Sequence, residues 1–327
     1  MKAGDEGAPR GVAVRGSKEL NVLFLGGGKR VSVAEHLMAR GQLAGTRVNV
    51  FAYELDDAVP IREIATVLPG KRWSECLVHL QGLIEELAIE LVLPFVDPAI
   101  GVAAALQSVN PRLFSPVSSA AACETFFSKV ATQRWCLMHG VPVPASEAGR
   151  FPKIAKPDRG SASKGIVILR HEAELAGYTE DPTYLVQQFV QAKEYTVDAY
   201  RSVRHGNINY LVPRQRLETQ GGEVIKSRTI RHGTLESLSR YILEEADLRG
   251  AVTLQFLEEE NTGAIFFMEA NPRFGGGVVT SVGAGVDLFE VLTADSSGTH
   301  LEENDRWEVG LLMLRRFSEI YVHADHH

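Results

Sequence analysis

Apolar residues in the first third of the chain follow two patterns in turn. Short β-rich runs, namely NVLFLGGG, RVNVFAYE and LVLPFV, alternate with helical patterns, of which Val31 to Arg40 is the first. Before the third run, apolar residues recur at spacings of three and four, which predicts an amphipathic helix with one buried stripe. These residues are Trp73, Leu77, Leu80, Leu83, Ile84 and Leu87. Such alternation is typical of a parallel α/β sheet, so residues 20–115 are predicted to form a Rossmann-like unit.

The pattern changes after Ser115. A helix is predicted from Ala120 to His139, and Gly140 and Pro142 end it because their backbone preferences do not continue a helix. The remainder predicts a mainly antiparallel sheet, interrupted by a helix from Leu235 to Arg249. Its strand-like runs are KIAKP, GIVIL, YLVQQFV, EYTVDAY, NINYLVP, AVTLQFLE, AIFFMEANP and VGLLMLRRF. The expected organisation is a disordered lead-in (1–19), the Rossmann-like unit (20–115) and a second domain (116–327).

Composition is that of an ordinary globular protein. The chain has 327 residues, of which 45% are hydrophobic and 23% are charged, and this length suits two domains at roughly 150 residues each. A formal net charge of -7 argues against general affinity for nucleic acid or anionic membrane surfaces. Disordered and fibrous classes are excluded by the same composition.

Cysteines and apolar runs bear on the compartment. Cys76, Cys123 and Cys136 form no CxxC motif, so buried thiols are expected rather than disulfides or a structural zinc. The first 19 residues lack the apolar core of a signal peptide, and no run reaches the ~18 apolar residues of a membrane helix. A cytoplasmic protein is therefore expected.

Two glycine-containing segments could hold phosphate. LGGGKRVSV at Leu25 to Val33 lies on a strand-to-helix turn, but Val31 occupies the third glycine position of a dinucleotide fingerprint, which favours a tight turn. KPDRGSASKG, from Lys156 to Gly165, is not a Walker A loop. It is either a flexible hairpin that closes over a polyphosphate, with Lys156 and Lys164 supplying charge, or an ordinary exposed glycine hairpin.

A short linker between two strands is a candidate nucleoside site. In VQQFVQAKEYTVD, from Val186 to Asp198, backbone groups of an extended linker could contact an adenine edge, and Glu194 could accept both ribose hydroxyls. Taken alone, the segment favours a surface acid beside Lys193.

The segment VTLQFLEEENTGAIFFMEANPRFGGG predicts a metal site. A hairpin that turns about Thr262 places Gln255 opposite Glu269, and strand alternation puts Asn271 on the same face as Glu269. These three oxygen donors suit Mg²⁺, and Arg273 stands beside them as a charge clamp for a phosphoryl group. The alternative is a solvated acidic hairpin, although an amide and an acid inside apolar strands need partners.

These segments, in this order, resemble the ATP-grasp superfamily, and the branch that includes the large subunit of carbamoyl phosphate synthetase resembles the chain most. The resemblance covers roughly Ser118 to Phe317, and MEANPRFGGG is its most specific part. It implies a Rossmann-like pre-ATP-grasp domain followed by a two-lobed ATP-grasp fold, with a small lobe at about 145–190 and a large lobe at about 191–320.

The resemblance also implies roles for individual residues. Lys129 and Lys156 match the nucleotide-contacting lysines, and Glu194 matches the ribose carboxylate. The metal ligands fall on Gln255, Glu269 and Asn271, and the catalytic residues on Arg273, Lys156, Lys226 and Arg228, with Arg216 as a further candidate in the same basic segment. The phosphate loop contributes Gly160, Ser161, Ser163, Lys164 and Gly165, and the adenine hinge contributes Gln187, Gln188, Phe189 and Val190. Gln187 departs from the acid that many relatives have there.

The implied activity is an ADP-forming ligase that uses ATP and Mg²⁺, with Mn²⁺ as a substitute. Such an enzyme activates a small-molecule carboxylate as an acyl phosphate and transfers the acyl group to an amine, and a homodimer fits the family. One alternative is a regulatory or assembly subunit that binds nucleotide without turnover. Another is an NAD-dependent oxidoreductase built on LGGGKR, which would leave the second half of the chain without a role.

Overall fold

The computed structural model describes residues 18–146, 150–160 and 164–322, and its strands form three sheets. The first is a parallel four-stranded sheet in the order β3-β2-β1-β4. Its strands are β1 (Lys18–Leu25), β2 (Thr46–Glu54), β3 (Thr66–Pro69) and β4 (Leu91–Pro94). Its helices are α1 (Val31–Leu43), α2 (Leu77–Glu86) and α3 (Asp97–Val109). This is the α/β architecture that the alternating pattern predicts, and β1 begins within the predicted lead-in.

The predicted antiparallel sheet is in fact two sheets. The smaller has the order β6-β5-β7, built from β5 (Lys153–Pro157), β6 (Val167–Leu169) and β7 (Tyr184–Gln188), with α6 (Glu172–Thr179) before β7. The larger has the order β12-β11-β8-β9-β10-β13 and is antiparallel throughout. Its strands are β8 (Ala192–Arg201), β9 (Ile208–Gln220), β10 (Glu223–Thr229), β11 (Gly250–Glu259), β12 (Ile265–Asn271) and β13 (Leu312–Leu314).

The single helix predicted over 120–139 is wrong, because Ser128 divides it. The two helices are α4 (Ala120–Phe127) and α5 (Lys129–Met138). Ser128 has extended backbone angles, and its hydroxyl accepts a hydrogen bond from the N–H of Ala131, so it caps the second helix. Three further helices complete the fold: α7 (Gly233–Glu245), α8 (Val278–Gly283) and α9 (Leu288–Ser297).

Buried apolar residues join the parallel sheet to the larger antiparallel sheet. One cluster covers a face of the parallel sheet and continues into the larger antiparallel sheet through Tyr200, Tyr210 and Val212. A second lies between the larger sheet and α4, α5 and α7, and a third covers the other face of the parallel sheet. Cys76, Cys123 and Cys136 are all buried and free, as the sequence predicts. Among the described residues, no helix is both long enough and apolar enough to cross a membrane.

Candidate active site

A cleft of about 310 Å³ lies between the small sheet and the large antiparallel sheet. It brings together eleven of the residues predicted for nucleotide and metal binding, although they come from separate parts of the chain. They are Lys129, Lys156, Gly160, Lys164, Gln187, Gln188, Phe189, Val190, Glu194, Gln255 and Glu269. Gly165 is described, with a positive φ of 75°, but is outside the cleft wall. Ser161 and Ser163 lie outside the described residues.

Apolar side chains form much of the remaining wall. They come from both sheets and include Ile154, Leu185, Phe256, Leu257 and Met268. Apolar walls on two sides accommodate a flat ring, while the lysines in the same cleft attract anionic groups. The cleft therefore suits a ligand that has both an aromatic and a polyanionic part.

Lys156, on β5, is the most perturbed cation in this cleft. It is only 6% exposed, and its Nζ donates to Gln187 Oε1 at 3.1 Å and to Met268 Sδ at 3.6 Å. Its pKa is lowered from 10.5 to about 8, mainly by burial and also by the charge of Lys129, whereas Glu269 and Glu194 oppose the shift. An anion that enters the cleft would favour the charged ammonium.

Lys129 is held in place by the helix break at Ser128. The Ser128 hydroxyl donates to Asp158 Oδ1 at 2.7 Å, and the Lys129 N–H donates to the Asp158 carbonyl at 3.0 Å. Because Lys129 is the first residue of α5, its Nζ reaches the carbonyl of Gly160 at 3.0 Å. The interruption that the sequence did not predict thus fixes this lysine beside the predicted phosphate loop.

The predicted hinge at 187–190 is already partly engaged. The N–H of Gln188 donates to the Ala145 carbonyl at 2.7 Å, and that of Phe189 donates to the Pro152 carbonyl at 3.1 Å. The Gln187 amide nitrogen donates to Gln133 Oε1 at 2.7 Å, while its oxygen accepts from Lys156. Gln187 therefore serves to hold the buried lysine. Nearby, Glu194 is half exposed and pairs with Arg216 at 3.3 Å.

The hairpin of β11 and β12 pairs Gln255 with Glu269, as the sequence predicts. The register shifts by one residue beyond this pair, because Phe256 faces Phe267 and leaves Met268 as an extra residue. Such a bulge turns neighbouring side chains from their regular alternation. Phe267 points into the core, while Met268 and Glu269 both line the cleft.

A chain of hydrogen bonds links the three predicted metal ligands. Glu269 Oε1 accepts from the amide nitrogens of Gln255 at 2.6 Å and of Asn271 at 3.1 Å. The amide oxygens are also engaged, since Arg216 donates to Gln255 at 2.8 Å and Arg273 donates to Asn271 at 3.2 Å. No group of three or more His, Cys, Asp or Glu side chains in the described ranges could hold a metal. A cation here would therefore depend on amide oxygens, water and phosphate.

The predicted catalytic residues separate into two groups. Arg273 lies beside Asn271, and its Nε donates to Asp97 Oδ1 at 2.6 Å. Asp97 begins α3 of the first unit, so the arginine is oriented from the opposite unit. Lys226 and Arg228 lie on β10, and neither is among the described residues that line this cleft or the cavity beside it. Arg216, on β9, lines both.

A second cavity, of about 300 Å³, adjoins the cleft. The two share Arg216, Gly222, Gln255 and Glu269. The predicted residues Asn271 and Arg273 also line the second cavity. Sequence reasoning missed four other charged residues of its wall: Arg30 and Asp97 from the first unit, and Arg214 and Glu223 from the large sheet. Arg30 Nη2 bonds Glu223 Oε1 at 3.0 Å across 193 positions of sequence, a separation that leaves no local pattern. The FGGG run after Arg273 was the one available signal.

The glycine turn of the first unit is closed by its own carboxylate. Glu54, the last residue of β2, accepts a hydrogen bond from the N–H of Gly28 at 2.6 Å, and the N–H of Gly26 donates to the Tyr53 carbonyl at 3.2 Å. Burial raises the pKa of Glu54 above 4.5, although hydrogen bonds from the backbone of Gly28 and Gly27 oppose the shift. A phosphate at Gly28 would have to displace this carboxylate, which weighs against the dinucleotide hypothesis.

Comparisons with known proteins bear on the fold and on part of the sequence. Residues 180–314 match a family described as ATP-grasp in the biosynthetic pathway with Ter operon. No curated protein matches the sequence significantly.

Three solved structures illustrate the likeness in fold. Campylobacter jejuni biotin carboxylase, in a β,γ-ATP complex, has a TM-score of 0.69 at 15% identity, over 89% of this chain and 74% of that one. The biotin carboxylase domain dimer of Hydrogenobacter thermophilus 2-oxoglutarate carboxylase, with MgADP and bicarbonate, gives 0.68 at 15%, over 89% and 73%. Staphylococcus aureus N5-carboxyaminoimidazole synthetase with ADP gives 0.68 at 16%, over 87% and 79%.

Proposed function

We propose that this chain, which has the fold of ATP-grasp proteins and matches an ATP-grasp family over residues 180–314, is an ATP- and Mg²⁺-dependent, ADP-forming ligase. It activates a carboxylate as an acyl phosphate and transfers the acyl group to an amine. The observation that carries the proposal is the contact of two cavities at Gln255, Glu269 and Arg216. One cavity suits a nucleotide, and the other lets a second substrate reach the same polar groups.

In this proposal ATP lies in the cleft between the small and large sheets. Its adenine packs between apolar side chains such as Leu185 and Leu257, and Glu194 accepts the ribose hydroxyls. The N–H groups of Gln188 and Phe189 are already bonded, so the hinge contact falls to Val190 and to backbone carbonyls. Lys129 and Lys156 face the phosphates, and Lys164, which also lines the cleft, adds positive charge there.

Glu269 and its two amide neighbours fit Mg²⁺. Glu269 Oε1 accepts two amide N–H groups at the position where a cation would attract the carboxylate. Rotation of the Gln255 or Asn271 side-chain amide by 180° would present its oxygen to the cation in place of its nitrogen. Together with Glu269, these oxygens would form a set of hard ligands. Mg²⁺ bound there would neutralise phosphate charge and align the phosphates for transfer. Arg216 and Arg273, which hold the amide oxygens in the ligand-free arrangement, would then be released toward the anionic substrates.

The chemistry divides into two steps. A carboxylate oxygen of the substrate attacks the γ-phosphorus of ATP, the bond to the β-phosphate oxygen breaks, and ADP leaves. The amine then attacks the acyl carbon, inorganic phosphate leaves, and the amine loses a proton, so that a carbon–nitrogen bond forms. Arg273 and Lys156 stabilise the negative charge of the phosphoryl group in transfer. No nucleophile of the protein is required.

We propose in addition that the enzyme is cytoplasmic and acts on small-molecule substrates. Within the ATP-grasp superfamily, we propose that it is similar to the branch that includes the large subunit of carbamoyl phosphate synthetase. Homodimerisation is part of the proposal, and one of the structural neighbours is a domain dimer.

The direct test is ADP release from MgATP in the presence of pooled carboxylates, with hydroxylamine added to trap an acyl phosphate as its hydroxamate. Substrate-dependent ADP with hydroxamate supports the ligase. If MgATP binds but no carboxylate pool releases ADP or gives hydroxamate, the protein is the non-catalytic nucleotide-binding subunit instead.

A further inference from the structure

Gln187 is a buried amide in the wall of the cleft between the small and large sheets. It is 5% exposed and lies on β7, two residues after Leu185 and directly opposite Ile154 of β5. All three residues line the cleft, so the Gln187 amide borders the apolar surface on which the proposed base lies. A side-chain amide has an oxygen that accepts and a nitrogen that donates, and its two orientations fill the same space. The orientation of Gln187 therefore decides which hydrogen bond this wall offers to a base.

Hydrogen bonds on both sides of the amide fix this orientation. Lys156 Nζ donates to Gln187 Oε1 at 3.1 Å. On the other side, the Gln187 nitrogen donates to Gln133 Oε1 at 2.7 Å and to the Pro144 carbonyl at 3.4 Å. Because an ammonium can only donate and a carbonyl can only accept, the opposite orientation would set donor against donor at Lys156 and acceptor against acceptor at Pro144. The Gln187 oxygen thus lies on the Lys156 side, and its nitrogen lies on the Gln133 side.

Gln133 holds the Gln187 nitrogen from outside the cleft. It lies on α5 and is not among the described residues that line the cleft. Its oxygen accepts from Gln187, and its nitrogen donates to the Ser146 hydroxyl, so both ends of its own amide are bonded. The bond of 2.7 Å between the two glutamines is much shorter than the contact of 3.4 Å with Pro144, so Gln133 is the principal restraint on the Gln187 nitrogen.

Nucleotide binding would leave the Gln187 oxygen without its donor. In the proposed function Lys156 turns to the phosphates, and its hydrogen bond to Gln187 is then lost. A buried acceptor without a partner is costly. The amine at position 6 of adenine can donate to this oxygen, whereas a 6-oxo purine would set oxygen against oxygen. With Lys156 turned away, the bond to Gln133 prevents the amide from turning to suit the 6-oxo base.

We propose that Gln133 is a positioning residue that makes the nucleotide site selective for a 6-amino purine. It holds the Gln187 nitrogen away from the cleft, so that the Gln187 oxygen accepts from the amine of the base. This inference rests on the proposed function, because it assigns the base selectivity of the same nucleotide site to a residue that does not contact the nucleotide.

The test is calorimetric titration of the full chain with ATP and with inosine triphosphate (ITP), each with Mg²⁺. ITP has an oxo group in place of the 6-amino group and lacks the 2-amino group of GTP, so it isolates the contact at position 6. The quantity measured is the ratio of the Kd of ITP to the Kd of ATP. In wild type this ratio should be at least ~10. In Gln133→Leu it should fall to about 1, because the Gln187 amide can then turn and donate to the 6-oxo group.

Substitutions by glutamate, whose carboxylate only accepts, sharpen the test. Gln133→Glu retains an oxygen that accepts from Gln187 and should keep the wild-type ratio. Gln187→Glu has no amide that could turn, so the addition of Gln133→Leu to it should leave its ratio unchanged. Gln191→Leu is the matched control, because the Gln191 nitrogen also donates to a side-chain oxygen, that of Glu260 at 2.9 Å, but Gln191 lies outside both cavities. This variant should keep the wild-type ratio.

Four results would overturn the inference while the ligase stands. Wild type binds ITP as tightly as ATP, or Gln133→Leu keeps the wild-type ratio. Alternatively, Gln133→Glu or Gln191→Leu lowers the ratio as much as Gln133→Leu does, or Gln133→Leu lowers it equally in the wild-type and Gln187→Glu backgrounds. Failure of both nucleotides to bind wild type would overturn the proposed function, and the inference with it.

Discussion

The chain contains two runs of three glycines, Gly26–Gly28 and Gly275–Gly277, and they serve different ends. In both, a Cβ would collide with a neighbouring side chain. The neighbours of the first run are mostly apolar, and its one carboxylate, Glu54, accepts from Gly28. The neighbours of the second run are Thr253 at Gly275 and charged residues at Gly276 and Gly277, and all of them line a cavity. Glycine permits close approach in both places, but only the second leaves charged groups incompletely paired.

The nucleotide cleft agrees with this distinction. Lys156 is buried with a lowered pKa, and Glu269 is bonded only by amides that a cation could replace. The two proposed ligand sites are therefore distinguished by charged groups whose partners are missing or replaceable, rather than by glycine content.

The largest effect should come from Glu269→Ala. Removal of this carboxylate takes away the one charged metal ligand, so turnover should fall at least ~100-fold while the fold is retained. Turnover is measured at increasing Mg²⁺ concentrations, and circular dichroism shows whether the fold is retained. Near-normal turnover would remove Glu269 from the ligand set.

Lys156→Met should weaken MgATP binding by ~10-fold or more, through loss of a charged donor to phosphate. Unlike most buried substitutions, it should not destabilise the ligand-free protein, because it removes a desolvated charge.

The same lysine should make stability depend on pH. Between pH about 8 and 10.5 the unfolded chain holds more protons on Lys156 than the folded chain does, so the free energy of unfolding of the wild type gains a component that rises with pH. Denaturant unfolding across this range should show that component in wild type and not in the variant.

Gly28→Ala and Gly277→Ala compare the two glycine runs directly. The first would bring a Cβ within 2.9 Å of Val59 and should cost about 1–3 kcal/mol of stability without changing nucleotide affinity. The second would press on Arg214, which lines the second cavity, and should in addition lower turnover. If Gly28→Ala reduced nucleotide affinity as well, the contrast between the two runs would be lost.

Glu54→Gln should have the smallest effect, within about 1 kcal/mol at neutral pH, because glutamine retains an oxygen that accepts from Gly28. The raised pKa of Glu54 means that the folded chain holds more protons than the unfolded one above pH 4.5. Its contribution to stability is therefore lost as pH rises through the raised pKa. Thermal unfolding of the variant at a series of pH values should show a weaker decline there, and an unchanged decline would assign it to another group.

Sequence patterns predicted the parallel unit and the hairpin because these depend on local periodicity. Gln255 and Glu269 pair as expected, although the bulge at Met268 could not be predicted from alternation. The break at Ser128 was missed because the apolar pattern continues through it, while the Ser128 hydroxyl and Asp158, distant in sequence, set the new helix start.

The walls of the second cavity were beyond sequence reasoning for a different reason. Arg30 meets Glu223, and Asp97 meets Arg273, only because the first unit packs against the large sheet. Neither pair has a spacing or local motif, so the predicted site ended at the nucleotide and metal groups. Lys226 and Arg228 are the opposite case, because they were predicted but do not line either cavity. Family resemblance alone had suggested them.

The most direct test of the central claim is thermal stabilisation of the wild-type chain by MgATP compared with NAD. At a concentration 100 times its Kd, a ligand that binds only the folded state adds about 2.7 kcal/mol of stability. A rise in Tm with MgATP that is lost in Lys156→Met, and no rise with NAD, is the predicted result. A rise with NAD and none with MgATP would contradict the account, because it would place nucleotide binding at the Gly26–Gly28 turn and not in the cleft that contains Lys156.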